Sequence, residues 1–108
     1  MNDSADIYTY SKSKNGHIYS CIHCGMIHLV YKSLAIALYQ FEFDALLDCL
    51  DQLEEEHFDF PHPNGLAATL TFNKFQEGFF CIVRTEFDEF HKLVSEASLM
   101  INVHKLIS

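Results

Sequence analysis

Glu42-Phe43-Asp44-Ala45-Leu46-Leu47-Asp48-Cys49-Leu50-Asp51-Gln52-Leu53 is the stretch whose reading decides the fold. Phe43, Leu46, Leu47, Leu50 and Leu53 recur three and four apart, which gathers them into one apolar stripe on a helix. Asp44, Asp48, Asp51 and Glu55 keep the same spacing on the opposite side. The pattern predicts a helix over 41–56 with one face buried and the other in water. Two prolines and the Asn64-Gly65 pair then break it. The opening tripeptide returns as Glu86-Phe87-Asp88 at the head of a second amphipathic run. At that offset Leu46 matches Phe90, Leu50 matches Val94 and Leu53 matches Ala97.

Outward from each helix the chain is rich in branched and aromatic residues, which favour strands. Strands are predicted over 17–21, 26–31 and 34–39 before the first helix, and over 66–72 and 79–85 before the second. A tight turn at 22–25 uses Gly25, Lys32-Ser33 closes a hairpin, and 73–78 is a loop. Thr85 and Asp88 have the spacing of a capping box. The expected fold is α+β: a duplicated β-β-α unit, with an antiparallel sheet in one layer and two helices on one of its faces. Residues 1–15 read as a flexible polar lead-in and 16–108 as one α+β domain. From Leu99 to Ile107 the second helix is apolar nearly all round. That end either tucks beneath the domain or meets a second chain.

The chain has 108 residues, 49% of them hydrophobic, which is enough for one folded core. Fifteen acids against seven bases leave a net charge of −8. The lysines are scattered and Arg84 is the only arginine, so a nucleic-acid partner and an anionic membrane surface are both disfavoured. No apolar run approaches the roughly 18 residues that span a bilayer, and the first residues lack an apolar signal core. The expected location is the cytoplasm, where thiols stay reduced.

Cys21-Ile22-His23-Cys24-Gly25 is the motif with chemistry in it. Two cysteines two residues apart can face one metal across a tight turn. Glycine after the second lets the backbone curl so that amides face the sulfurs. The segment resembles the first half of a zinc ribbon. More broadly, the Cys-x-x-Cys-Gly followed by His28, Leu29 and a strand resembles small uncharacterised bacterial families, which imply no activity. Structural zinc takes four ligands, and no second Cys-x-x-Cys is present. The candidate metal ligands are Cys21, Cys24 and His28, with His17, His23, His57 and His62 as further donors. Two knuckles from two copies would also complete one zinc site. The competing readings are a metal-free turn and, more remotely, thiol redox chemistry.

The remaining chemistry-bearing residues have simpler roles. Cys49 and Cys81 read as small core residues, and His91 as a packed, hydrogen-bonded histidine. Glu42 and Glu86 read as carboxylates that favour the positive start of a helix. The acidic face of the first helix reads as solvated. No nucleophile elbow or phosphate loop is present. The composite expectation is a non-enzymatic protein-interaction module, self-associating or binding another protein, and stapled by structural zinc. The alternatives are a small enzyme with an open metal site at Cys21, Cys24 and His28, and a metal-free homodimer.

Overall fold

The computed structural model describes residues 7–21, 25–70 and 80–107. Four strands, β1 (Ile7–Lys12), β2 (Gly16–Cys21), β3 (Ile27–Tyr31) and β4 (Leu34–Leu38), pair antiparallel in chain order. Ile18 lies opposite Leu29, Leu29 opposite Ile36 and Ile27 opposite Leu38, so one face of this sheet is aliphatic. Alternation places His17, Tyr19, His28 and Val30 on the other face. The β3–β4 hairpin turns at Lys32-Ser33 as expected, with Lys32 in the left-handed region at φ 52°.

β1 occupies 7–12 of the stretch 1–15 that reads as a flexible lead-in. In it Tyr8 faces Ser20 and Thr9 faces Tyr19, and a bulge between Thr9 and Ser11 then breaks the alternation. The sequence hides this strand because Ser11, Ser13 and Asn15 look like loop residues. Each of them finds a partner on a distant helix.

Helix α1 (Gln40–Asp51) is the predicted first helix, and it buries Phe43, Leu46 and Leu50. Glu42 serves the helix start as expected: the Tyr39 amide donates to its carboxylate at 2.9 Å. The helix stops at Asp51, short of 56. The Gln52 and Leu53 amides donate to Cys49 and Leu50 carbonyls three residues back, tightening the last turn. Glu54, Glu55 and Glu56 would place three negative charges at the negative end of a longer helix. A short 3₁₀ turn (Glu55–His57) follows.

The strands fall into two sheets. β5 (Phe60–His62), β6 (Gly65–Leu70) and β7 (Phe80–Val83) form a second antiparallel sheet. β5 lies inside the predicted breaker segment. Pro61 is accommodated because β5 lies at the edge of this sheet and, among the described residues, pairs with β6 alone. The predicted loop over 73–78 lies outside the described residues.

Helix α2 (Arg84–Ile107) begins directly after β7, one residue ahead of the predicted Thr85 cap. It packs on β1 and β2 of the first sheet, on β6 and β7 of the second, and on α1. The α+β class is therefore as expected, with one long helix common to both sheets. The order strand, strand, helix occurs twice. Among the described residues the two sheets differ in size, with four strands and three. His91 joins the helices: its Nε2 lies 2.6 Å from Asp51 Oδ1 and its ring stacks on Phe87 at 5.1 Å. It is hydrogen-bonded as expected and sits half-exposed at the helix interface rather than in the core. Arg84 ties the 3₁₀ turn to α2 through Glu55 at 2.6 Å, while its guanidinium lies over the Phe58 and Phe87 rings.

The core combines Ile18, Leu29 and Leu38 from the first sheet with Phe43, Leu46 and Leu50 from α1, and with Phe90, Leu93 and Val94 from α2. Each such burial contributes about 1.5–3 kcal/mol. Gly16 lies close against this core. A Cβ there would lie 2.5 Å from Leu93 Cδ2 and 3.1 Å from the Val30 carbonyl oxygen. Leu93 is fully buried and cannot swing away into solvent. Gly16→Ala is therefore expected to cost about 1–3 kcal/mol by overpacking, read as a lower urea midpoint with an unchanged slope. A midpoint equal to that of the native protein would contradict this close approach.

Candidate functional site

The sequence directs attention to the Cys21–Gly25 turn. Cys21 is half-buried at the end of β2, opposite Ile7. Gly25 has φ 67°, the left-handed conformation expected for the glycine of a tight turn, and its amide donates to the Cys21 carbonyl at 3.4 Å. Cys24 lies outside the described residues. His28 is in mid β3, opposite Tyr19, with its ring stacked on that tyrosine at 5.0 Å. By strand parity Cys21, Tyr19 and His28 share the outer face of the sheet. Among the described residues, no three His, Cys, Asp or Glu side chains cluster as a metal-binding group. The described part of the motif thus offers Cys21 and His28, two donors where structural zinc takes four. Cys49 and Cys81 are both half-buried, and Cys49 packs against the core.

Beside this turn is a cavity of about 490 Å³ that the sequence did not foretell. Tyr8 and Tyr10 of β1, Ser20 and Cys21 of β2, and His104 of α2 line it. Gly25, Met26 and Ile27 from the far side of the turn complete one wall. The His104 ring lies 4.4 Å from the Tyr8 ring and 6.3 Å from the Tyr10 ring. His104 Nδ1 is buried and makes no hydrogen bond to the described residues.

A second polar cluster lies elsewhere, at Glu89, which the sequence reading passed over. Ser13 Oγ and the Asn15 amide donate to Glu89 Oε2 at 2.7 and 3.0 Å. Asn15 Nδ2 and the Tyr31 hydroxyl donate to Oε1, both at 2.9 Å. These bonds, the Asn15 side chain foremost and then Ser13, hold the Glu89 carboxyl down to about 2. Burial, with Glu89 beside it, pushes the Tyr31 hydroxyl well above its ordinary value. The cluster clamps the β1–β2 turn to α2. No signal in one sequence marks Glu89, because its partners lie 58 to 76 positions away.

The last turns of α2 have two apolar sides. Phe90, Val94, Ala97 and Ile101 are buried against the sheets. Leu99, Val103 and Leu106 recur on the opposite side, 63%, 38% and 86% exposed, with Ile107 beside them at 76%. The described residues leave the outer side of this end uncovered. No helix among the described residues is long and apolar enough to cross a membrane.

A family model, DUF6686, described as a family of unknown function, matches residues 1–99. The chain belongs to this family. No curated protein and no solved structure matches it. The DUF6686 match takes in Cys21, Cys24, His28, Glu89 and every cavity residue except His104.

The Glu89 cluster makes stability depend on acid in a defined direction. The folded carboxyl titrates near 2, below the ordinary 4.5. Its contribution is complete above about 4.5 and is lost as pH falls toward 2. The melting temperature of this DUF6686 protein is expected to fall through that window. Glu89→Gln should lower it at neutral pH and flatten its slope between pH 4.5 and 2, as thermal denaturation at several pH values would show. An unchanged slope in the variant would remove Glu89 from this role.

Proposed function

We propose that this DUF6686 protein is a non-enzymatic interaction module whose partner is a second copy of the chain. The observation that carries the reading is the second apolar side of α2, formed by Leu99, Val103, Leu106 and Ile107. These residues span about 12 Å at 1.5 Å per residue. A two-fold axis across the helix would bring the same stripe from two copies together antiparallel, a self-complementary arrangement. Ile7, Tyr39 and Phe41 are further exposed apolar side chains. Ile7 and Gln40 line the cavity together with His104, and Gln40 is flanked by the stacked Tyr39 and Phe41 rings. Such a surface is larger than the helix stripe alone, in the direction of the roughly 800 Å² per partner of stable interfaces.

A structural zinc ion shared between the copies belongs to the same proposal. Cys21 and Cys24 of each chain would supply four thiolates and draw folding energy from the metal. What supports it is position: Cys21 and Gly25 line the same cavity as His104, so the knuckle and the end of α2 are neighbours. A reducing, cytoplasmic setting is part of this reading, since the thiols must stay unpaired.

Sedimentation or light scattering should give a mass near twice 12.5 kDa. Leu99→Glu with Leu106→Glu should reduce the mass to that of one chain while leaving the circular dichroism unchanged. A wild-type monomer at the highest soluble concentration would overturn the proposal. Protein purified without chelator should carry about one zinc ion per two chains. Metal-free protein that still dimerises and melts at the same temperature would remove the zinc staple and leave the helix interface standing.

A further inference from the structure

We propose that the outer edge of β4 pairs antiparallel with the same edge of a second copy, so that one sheet runs through both chains. β4 is Leu34-Ala35-Ile36-Ala37-Leu38, which reads the same in both directions. A two-fold axis through Ile36 therefore sets every residue of the strand against one of its own kind. Leu34 meets Leu38, Ala35 meets Ala37, and Ile36 meets Ile36. A two-fold interface requires this self-complementarity.

The backbone of β4 has the groups to make such a pair. Among the described residues the strand pairs with β3 alone. The two-residue turn Lys32-Ser33 closes on Tyr31 and Leu34, which exchange hydrogen bonds. Alternation then directs the N–H and C=O groups of Ile36 and Leu38 to β3 as well, and those of Ala35 and Ala37 to the outer edge. No described residue pairs with the backbone of Ala35 or Ala37. The next residue after the strand, Tyr39, is already taken up by the start of α1 through Glu42 and Phe43. With the axis at Ile36, Ala35 of one copy and Ala37 of the other exchange both N–H···O=C bonds, and the symmetry repeats the exchange on the other side of the axis.

Edge strands that must stay single are blunted by charge, proline or a bulge. β1, the other edge of the same sheet, has Lys12 and the bulge between Thr9 and Ser11. β5 has Pro61. β4 has no charge, no proline and an unbroken register with β3. Its side chains also suit a partner strand. Leu34 and Ile36 pack on the core and are only partly buried within one chain, so the pairing would extend the aliphatic face of the sheet over them. Past the strand Lys32 would face Gln40 of the second copy, so no like charges meet. The stripe on α2 is a different surface, because α2 packs on β1 and β2 while β4 is the opposite edge. The inference therefore does not rest on the α2 reading. The edge of these five residues spans about 17 Å and falls short of the roughly 800 Å² per partner of stable interfaces, so the pairing belongs to concentrated solution.

Amide hydrogen exchange followed by NMR, with sedimentation on the same samples, tests this residue by residue. The full chain carrying Leu99→Glu and Leu106→Glu is the sample, since the helix stripe is then removed and a failure of either reading shows separately. In dilute solution this chain should sediment singly, with Ala35 and Ala37 exchanging fast. Near the solubility limit the mass should rise toward two chains, and exchange at Ala35 and Ala37 should slow at least tenfold. The Ile36 and Leu38 amides, bonded to β3, should stay protected throughout. Ala37→Pro removes an outward N–H that β3 does not use, so it should abolish the rise in mass while leaving the melting temperature of the dilute chain unchanged. Ala35→Pro acts in the same way and serves if the first variant fails to fold. Three results would each overturn the proposal. They are exchange at Ala35 and Ala37 that does not change with concentration, protection of both amides in a chain that sediments singly, and a rise in mass that persists in both proline variants.

Discussion

Helix α2 lies against the β1–β2 hairpin at a distance that only glycine allows. Gly16 leaves room for the Leu93 side chain, and a methyl group there would overlap it. Two polar contacts hold the same approach. The Ser11 hydroxyl reaches the Leu93 carbonyl, and Glu89 collects four hydrogen bonds, three of them from Ser13 and Asn15 in the hairpin turn. The remaining architecture depends on this seam. With α2 fixed to the first sheet, its other contacts reach the second sheet and α1, and Phe90 and Val94 complete the core between them.

The same seam sets up the candidate sites. A long helix held along its middle carries its last turns to the end of the first sheet, beside the Cys21–Gly25 turn. There the inner side still meets Tyr8 and Tyr10 through His104, while the outer side exposes Leu99, Val103 and Leu106. One short stretch of helix therefore closes a cavity and presents an apolar stripe. The bulge in β1 belongs to both arrangements, because it lets Ser11 anchor the helix without turning the tyrosine rings away.

Elements with their own periodicity were legible before the structure. The stripe from Phe43 to Leu50 and its counterpart at Phe90 and Val94 are local patterns, and both helices bury those residues. The strand pairs that precede each helix were legible for the same reason. β1 and β5 were not. β1 reads as polar because its serine is satisfied by a helix more than 80 positions away, and β5 contains a proline that only an edge position tolerates. At the candidate site the knuckle was legible from its spacing. His104 was not, because a histidine near the end of an apolar helix has no pattern of its own.

By itself, the sequence determined the α+β class, the two amphipathic helices, the left-handed glycine at position 25 and the capping carboxylate of Glu42. Each of these rests on interactions within a few residues, which spacing and residue type reveal. Tertiary structure alone decided the division into two sheets, the clamp at Glu89 and the meeting of Tyr8, Tyr10 and His104 around one cavity. Those features join residues far apart in the chain. Long-range contacts are set by how the hairpin, the sheets and α2 fit in space, and periodicity along a single chain carries no record of that fit.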